Sequence, residues 1–502
     1  MANQTSDAYS WTQEDGLKIG GFKCEGVISP PTNTSAPQGH VYDVIVIGAG
    51  YAGLSAARDL ATTRHSVLML EGRDRIGGRT FSVDIEGFKY EMGGTWVSHY
   101  QPYAFTELRR YGLDKELVAT RQHGYENDYY TLNIPGIQQR KMSHEEAGAI
   151  SAKVWNRFVD VDGHLCRRIC PLPYQQLGNA MVSRQEVEKL DKLSCWDRFQ
   201  QVKNEFTAEE SAMLLGQLLM LSGGNLEESS LWDMIRSQAL GAHDSANFED
   251  IWLLYKLKAG QSHLARRMFE EAVETGLDYF FNTPVVGVKD SLNPGDAIEV
   301  QVEDGRIFRA RRVISTVPLN VLKDIQFSPP LAAKRHEAIE QGHICFMTKI
   351  HAEVKGSGLV SWRGTAYPNN LLFGFGDGLT AKGNTHITAF GGKAPPHFVP
   401  ERNLEKIHEA LQALHPMEIQ RLVFHNWNSD RFSQAGPCWW APEFMTKYQE
   451  ELQSRHGNVF FASADWADGW RAFIDGALEQ GRKNAQEVAV ELRVLKTRGS
   501  LR

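Results

Sequence analysis

The sequence predicts a mixed α/β fold, and three observations carry that expectation. The first is a short β-branched run, Tyr42–Ile47 (YDVIVI), apolar enough for a strand buried on both faces. It leads directly into Gly48-Ala49-Gly50-Tyr51-Ala52-Gly53 and then into Leu54–Thr63, which has helical character. The second is another buried strand, Ser66–Leu70, that ends in Glu71. The third is that strand signals return in the middle of the chain and near its end. Strand, G-x-G-x-x-G turn, helix and acid-tipped strand together make a Rossmann-like dinucleotide-binding unit. Gly48 permits the tight turn, Gly50 lets the backbone approach a pyrophosphate, and Gly53 allows close helix–strand packing. The N–H groups that open the helix attract phosphate. Glu71, 18 residues beyond Gly53, is placed to accept from ribose hydroxyls.

Residues 1–40 read as an irregular lead-in, since Pro30-Pro31 and the Thr/Asn/Ser run after them disfavour regular structure. After Glu71 comes RDRIGGR, in which Arg73, Gly78 and Arg79 suit a second phosphate contact, with Arg79 as a fork. Glu91–Trp96 (EMGGTW) is a second glycine turn, where Gly94, Thr95 and Trp96 would bring main chain close to a flat ring. Helical stretches fill 104–275. Phe206–Ser222 is the clearest, and Gly223-Gly224-Asn225 stops it. Gln217 and Leu221 on that helix are candidates to line a channel. Pro284–Val288, Ile298–Glu303 and Ile307–Val317 read as strands, with Asp304-Gly305 as a hairpin turn. Lys349–Val354 opens another β-rich stretch. Phe460–Ala462 is a returning strand, and Asp475–Leu492 is the last helix, with Asp475 as its N-cap.

Composition narrows the class. The 502 residues are 42% apolar and 23% charged, which excludes collagen-like, disordered and disulfide-scaffold chains. With 54 basic and 61 acidic residues the net charge is −7, so no nucleic-acid footprint is expected. The excess is in glycine, at 45. Six cysteines are too few for a disulfide framework and read as free thiols in a reducing compartment. No secretory signal or membrane span is apparent, and the Ser-Leu-Arg ending is not a peroxisomal address. A cytoplasmic protein with no membrane partner is expected. Hydrolase and NTPase motifs are missing, and Cys166 and Cys170 lack the further ligands of a metal site.

VIVIGAGYAGLSAARDL, LEGRDRIGGRT, EMGGTW, KAGQSHLARR, TVPLNVL, GHICFMTKIHAEV and FASADWADGWRAFIDGALEQG together make the chain resemble the flavin amine oxidases, nearest their fungal monoamine oxidases. The resemblance runs from about residue 10 to about 492. It implies a Rossmann-like FAD-binding domain built from 40–115, 260–340 and 433–492. Interleaved with it would be a substrate domain of mixed sheet and helices from 116–259 and 341–432. Residues 1–39 would be an extension and 493–502 a tail. The implied partners are a small-molecule amine and O₂, and the implied assembly is a homodimer.

The resemblance also assigns roles. Lys349 matches the flavin-proximal lysine, which suits a lysine set in an apolar strand context. Val285 would hold the adenine by backbone groups. Asp465 would lie near the ribityl and phosphate groups, and Trp470 near the flavin. Phe473 matches one wall of an aromatic cage, with Ile474 beside it. The other wall stays open between two alignments of Gly436-Pro437-Cys438-Trp439. Anchoring on Gly436 puts Cys438 in the cage and makes it roomier. A shift by one residue gives Cys438 the place of a flavin-linking cysteine and makes Trp439 the wall. The spacing through Met445 favours the first alignment and non-covalent FAD.

The expected reaction is FAD-dependent oxidation of a primary amine to an imine, then aldehyde or ketone, with O₂ reduced to H₂O₂. The substrate would be long or bulky. A polyamine oxidase stays open through Asp244, Glu249 and Asp250, and an L-amino-acid oxidase shares the fold. The non-enzyme alternative is an FAD-binding structural protein.

Overall fold

The computed structural model describes residues 3–34, 36–37, 39–174, 182–393 and 398–497. The Ser-Leu-Arg ending and part of the C-terminal tail lie outside them. Two nine-stranded sheets dominate the described residues. In the first, Val41–Ile47 runs parallel to Val67–Leu70 on one side and to Ile307–Ser315 on the other. Asp278–Phe280 extends it beyond Val67–Leu70, and Val459–Phe461 pairs in parallel with Ile307–Ser315. An antiparallel arm, Val285–Lys289 with Ile298–Val302, continues from Ile307–Ser315.

The pleat explains why Val41–Ile47 carries apolar residues on both faces. Ile45 and Ile47 join a core that includes Trp155, Trp232 and Trp439. Val44 and Val46 join another, formed with Leu54, Leu264 and Leu478. Those three leucines belong to helices Tyr51–Thr62, Gln261–Glu274 and Ile474–Thr497. Side chains alternate across a strand, so a strand covered on both sides has no polar face to spare.

The second sheet orders Arg140–Met142, Tyr130–Asn133, Arg363–Ala366, Phe373–Leu379, Thr385–Gly391, Thr348–Val354 and Ile419–Phe424. Its far edge corrects the irregular lead-in. Tyr9–Thr12 and Gly16–Ile19 form a hairpin that pairs antiparallel with Ile419–Phe424, with Tyr9 stacked 5.3 Å from Phe424. Gln4–Thr5 pairs with Phe22–Lys23, and Thr32–Asn33 with Asp278–Phe280. Pro30 and Pro31 interrupt the segment locally, while sheet edges supply the ladder bonds that its own sequence does not advertise.

The last helix also differs from expectation, running Ile474–Thr497 with Asp475 inside its first turn. Asp475 does not cap its own helix. Its Oδ1 accepts from the Ala104 amide at 2.8 Å, so it caps helix Pro102–Arg110 instead. No described helix is long and apolar enough to cross a membrane.

Candidate active site

The strands Val41–Ile47, Val67–Leu70 and Ile307–Ser315 end at Gly48, Glu71 and Thr316, and these residues line a cavity of about 370 Å³. Ligands of open α/β sheets bind beyond the carboxyl ends of strands in this way. Gly48 adopts φ +102°, which only glycine holds without strain. A Cβ on Gly53 would stand 1.9 Å from the Gly48 carbonyl, so Gly53 serves turn and helix packing and does not line the cavity. Helix Tyr51–Thr62 starts at Gly50 with no side-chain cap, and Tyr51 and Ala52 face the cavity. Its first N–H groups are left for a ligand.

Glu71 accepts from the Ala49 amide with one oxygen (2.6 Å) and from the Arg73 amide with the other (2.8 Å), and it lines the cavity. Arg79 lines the cavity while its Nη2 donates to Asp465 Oδ1 at 2.6 Å and its Nη1 to the Gly436 carbonyl at 3.2 Å. Asp465 does not line the cavity itself but bonds Arg79, which does. Its second oxygen accepts from the Leu319 amide. Burial would raise Asp465, yet Arg79, His343 and the Leu319 amide together outweigh it and hold the carboxyl below its ordinary value. Arg73, Gly78, Gly94, Thr95, Trp96, Val285 and Ile474 all line the cavity. Bare glycine backbone, an uncapped helix start and a guanidinium at one end, and an aromatic chamber with Trp96, Phe390, Trp439 and Phe473 at the other, fit a flavin dinucleotide.

Lys349 sits in Thr348–Val354 and donates to the carbonyls of Glu91 (2.8 Å) and Gly93 (3.0 Å) and to Thr95 Oγ1 (2.7 Å). The Thr95 hydroxyl gives its own proton to Gly93, so all three N–H bonds of an ammonium have acceptors. Burial pulls the lysine below its ordinary value, and the Glu91 and Asp377 carboxylates pull against it. The Lys349 nitrogen also lies 4.9 Å over the Trp96 ring, which favours its charged form.

His351, two residues on, reaches the same Glu91 carbonyl through Nε2 at 2.8 Å. Its Nδ1 meets His386 Nε2 at 2.8 Å, and His386 Nδ1 faces the Asp377 carbonyl at 3.3 Å. Burial pushes both histidines down, His386 to about 4. Sequence reasoning gave His351 no role, although alternation along the strand puts it on the lysine's face.

The aromatic end of the cavity corrects the favoured alignment around Gly436. Trp439 lines the cavity and Cys438 does not. The Cys438 thiol donates to the Asp465 carbonyl at 3.4 Å and is fully buried, so burial pushes it well above its ordinary value. The segment has no strand or helix period, Gly436, Pro437 and Trp439 line the cavity while Cys438 turns away, and counting from Gly436 therefore misassigns them.

Phe473 lines the cavity and packs edge-on against Trp252 (5.1 Å) and Trp470 (5.2 Å). Trp470 is behind this wall, its indole N–H bonded to the Tyr100 carbonyl. Gln217 faces Ser151 instead of the cavity, while Leu221 lines it.

Phe248, Trp252 and Phe390 also line it and were not anticipated. Phe248 and Trp252 are four apart on a short helix, a spacing that places both on one face. On the opposite face Glu249 pairs with Arg121 and Arg363, and Asp250 with Arg121. Glu249 and Asp250 are thus paired outside the cavity, and Asp244, the third acid weighed for a polyamine channel, accepts from the Ala246 amide and the Asn247 side chain and does not line it either.

A nucleotide cradle joined to an aromatic, lysine-bearing chamber defines a flavin-dependent oxidoreductase. The family model of flavin containing amine oxidoreductases matches residues 51–489, and the chain belongs to that family. A pseudooxynicotine dehydrogenase of Pseudomonas sp is 32% identical over 90% of this chain and 87% of its own. Amine oxidase [flavin-containing] A of Canis lupus familiaris is 26% identical over 90% and 85%. Among solved structures, a putrescine oxidase bound to putrescine superposes with TM-score 0.72 at 21% identity, covering 90% of this chain and 99% of its own. Cyclohexylamine oxidase from Brevibacterium oxydans gives 0.71 at 18% identity, over 90% and 100%. The fold is the Rossmann-like flavin-binding fold of these oxidases, and the chain is an enzyme of the amine-oxidising class.

Proposed function

We propose that the chain uses non-covalently held FAD to oxidise a primary monoamine with a long or bulky apolar body to its imine, which hydrolyses to aldehyde or ketone. The observation that carries this is one cavity with the glycine cradle at one end and Lys349, Phe473 and Trp439 at the other. FAD would supply the two-electron acceptor, and O₂ would restore it with release of H₂O₂. The protein's part is orientation and desolvation. Phe473 and Trp439 would flank the amine, exclude water and aim its lone pair. Lys349 would set the local positive field.

The choice of a monoamine rests on the lining. The charged lining groups other than Lys349 are Glu71, Arg73, Arg79, Asp324 and Arg431, which belong with the dinucleotide half. Around Phe473 the lining is aromatic or aliphatic, with Trp252, Phe248, Phe390 and Leu221. Neither the carboxylates of a polyamine channel nor an arginine clamp for an amino acid faces this end among the described residues. The relatives named above include a pseudooxynicotine dehydrogenase and a flavin-containing amine oxidase, which agrees with an amine substrate. The buried, protonated Cys438 thiol, turned toward Asp465, supports non-covalent flavin. We assign the flavin domain to 40–115, 260–340 and 433–492, and the substrate domain to 116–259 and 341–432.

Peroxide release on benzylamine, hexylamine, spermidine and an amino acid tests the substrate class. The expected result is turnover of the first two. Turnover confined to spermidine or the amino acid would overturn it. Acid precipitation should leave the yellow colour in solution, and a yellow pellet would sink the non-covalent reading. Activity should rise between pH 6 and 9, because an alkylamine sheds its proton near the lysine value of about 10.4. A flat profile would count against a neutral amine as the reacting form.

A further inference from the structure

The segment Arg73–Arg79 forms one wall of the cradle, and its outer side is held by residues from the start of the chain. Asp7 Oδ2 accepts from Arg75 Nε at 2.8 Å and from Arg73 Nη1 at 3.3 Å. The Ser6 amide and the Thr5 hydroxyl both donate to the Asp74 carboxylate, at 2.8 and 3.1 Å. The Ala8 amide donates to His425 Nδ1 at 3.2 Å, which leaves His425 Nε2–H to donate to Asp430 at 2.8 Å. Asp430 in turn takes both terminal nitrogens of Arg73. Four consecutive residues, Thr5 to Ala8, thus each make a contact to this wall or to the group that holds it.

The contacts lead inward. Arg75 is fully buried, lies 3.7 Å from the Phe81 ring centroid and donates to the Gly78 carbonyl at 2.8 Å. Gly78 lines the cavity opposite Gly50, so close that a Cβ on it would stand 3.1 Å from Gly50 Cα. Asp7 therefore reaches the phosphate turn through a single side chain. Asp7 is the anion shared by Arg73 and Arg75. Without it, two buried guanidiniums would share less negative charge, and the wall would lose its outer anchor.

We propose that Thr5–Ala8 is a strap that positions the cofactor cradle, with Asp7 acting through Arg75 and Arg73 to hold Arg73–Arg79 against Gly50. Asp7 is a positioning residue that touches no cofactor atom. The inference rests on the flavin reading above and deepens it. It makes cofactor retention depend on a segment outside the nucleotide-binding unit.

The test follows FAD fluorescence on dilution of the FAD-loaded protein, with thermal melting of loaded and stripped chains beside it. Asp7→Asn is expected to raise the FAD dissociation constant about tenfold, as loss of one charge-assisted contact would. Asp7→Glu should recover part of that. Thr5→Val, a milder change, should raise it roughly twofold, since it removes the hydroxyl's bond to Asp74 and the one it accepts from the Asp7 amide but leaves the Asp7 carboxylate in place. The control is Asp15→Asn, which breaks only the exposed Asp15–Lys18 pair at the tip of the hairpin, and it should match the parent. A folded Asp7→Asn chain with unchanged FAD retention would overturn the strap, as would an equal loss in Asp15→Asn. So would equal falls in melting of loaded and stripped chains with no change in retention. A parent that takes up no FAD, or holds it covalently, would instead overturn the reading on which the strap rests.

Discussion

Cys438 and Trp439 are adjacent, yet only the tryptophan meets the cavity, and single-residue chemistry should follow that division. Cys438→Ala should leave kcat/KM for benzylamine within about twofold and cost on the order of 1 kcal/mol of stability, a small buried truncation. Trp439→Ala should lower kcat/KM at least about tenfold by admitting water and freeing the amine. Peroxide assays and melting on the two variants check this, and the reverse ranking would return Cys438 to the cage. Lys349→Met should lower turnover by roughly 10²-fold, the scale of losing one preorganised electrostatic group. It would also strip the Glu91 and Gly93 carbonyls of a donor.

Asp475 gives a pH signature. Burial raises its folded pKa to about 7 despite the Ala104 amide. The folded state therefore holds a proton that the unfolded chain releases near 3.9, and stability falls as pH rises from about 4 to about 7. Asp475→Asn should remove that slope, raising the melting temperature at pH 8 by a few degrees more than at pH 5. Equal shifts at both pH values would refute it.

At the scale of elements, the strand–turn–helix from Val41 to Thr62 was legible because its signals are local. Glycine spacing, a buried strand and the helix start lie within a few residues of one another. Gly53→Ala tests how tightly they are joined. Its Cβ would overlap the Gly48 carbonyl, so the chain should fail to retain FAD and melt several degrees lower, as overpacking costs about 1–3 kcal/mol. Retention equal to the parent would show that the turn can yield.

The N-terminal strands were not legible, because Tyr9 pairs with Phe424 and nothing near Tyr9 records that partner. The wall containing Phe248 and Trp252 was hidden for a different reason. Their neighbours Glu249 and Asp250 make the segment read as charged, while the i, i+4 aromatic spacing carries the site. His351 was within reach, since the alternation that exposes Lys349 to Glu91 places it there too.

At the scale of the whole molecule, buried carboxylates couple the parts to pH. Burial raises Asp7 and Asp430, but Arg73, Arg75 and His425 outweigh it and hold both below the ordinary range. Their stabilisation is present above the unfolded carboxylate pKa of about 3.9 and is lost as pH falls below it. Acid should therefore loosen the strap, the Arg73 wall and Asp465 together, and FAD should leave no later than the loss of helical signal. The same geometry has a consequence for synthesis. Val459–Phe461 and Ile474–Thr497 complete the first sheet and its covering, and Ile419–Phe424 receives the hairpin made first. High-separation pairings close slowly and only once both partners exist. A nascent chain would carry its glycine turn exposed for most of its translation, so cofactor loading becomes a late, essentially post-translational event.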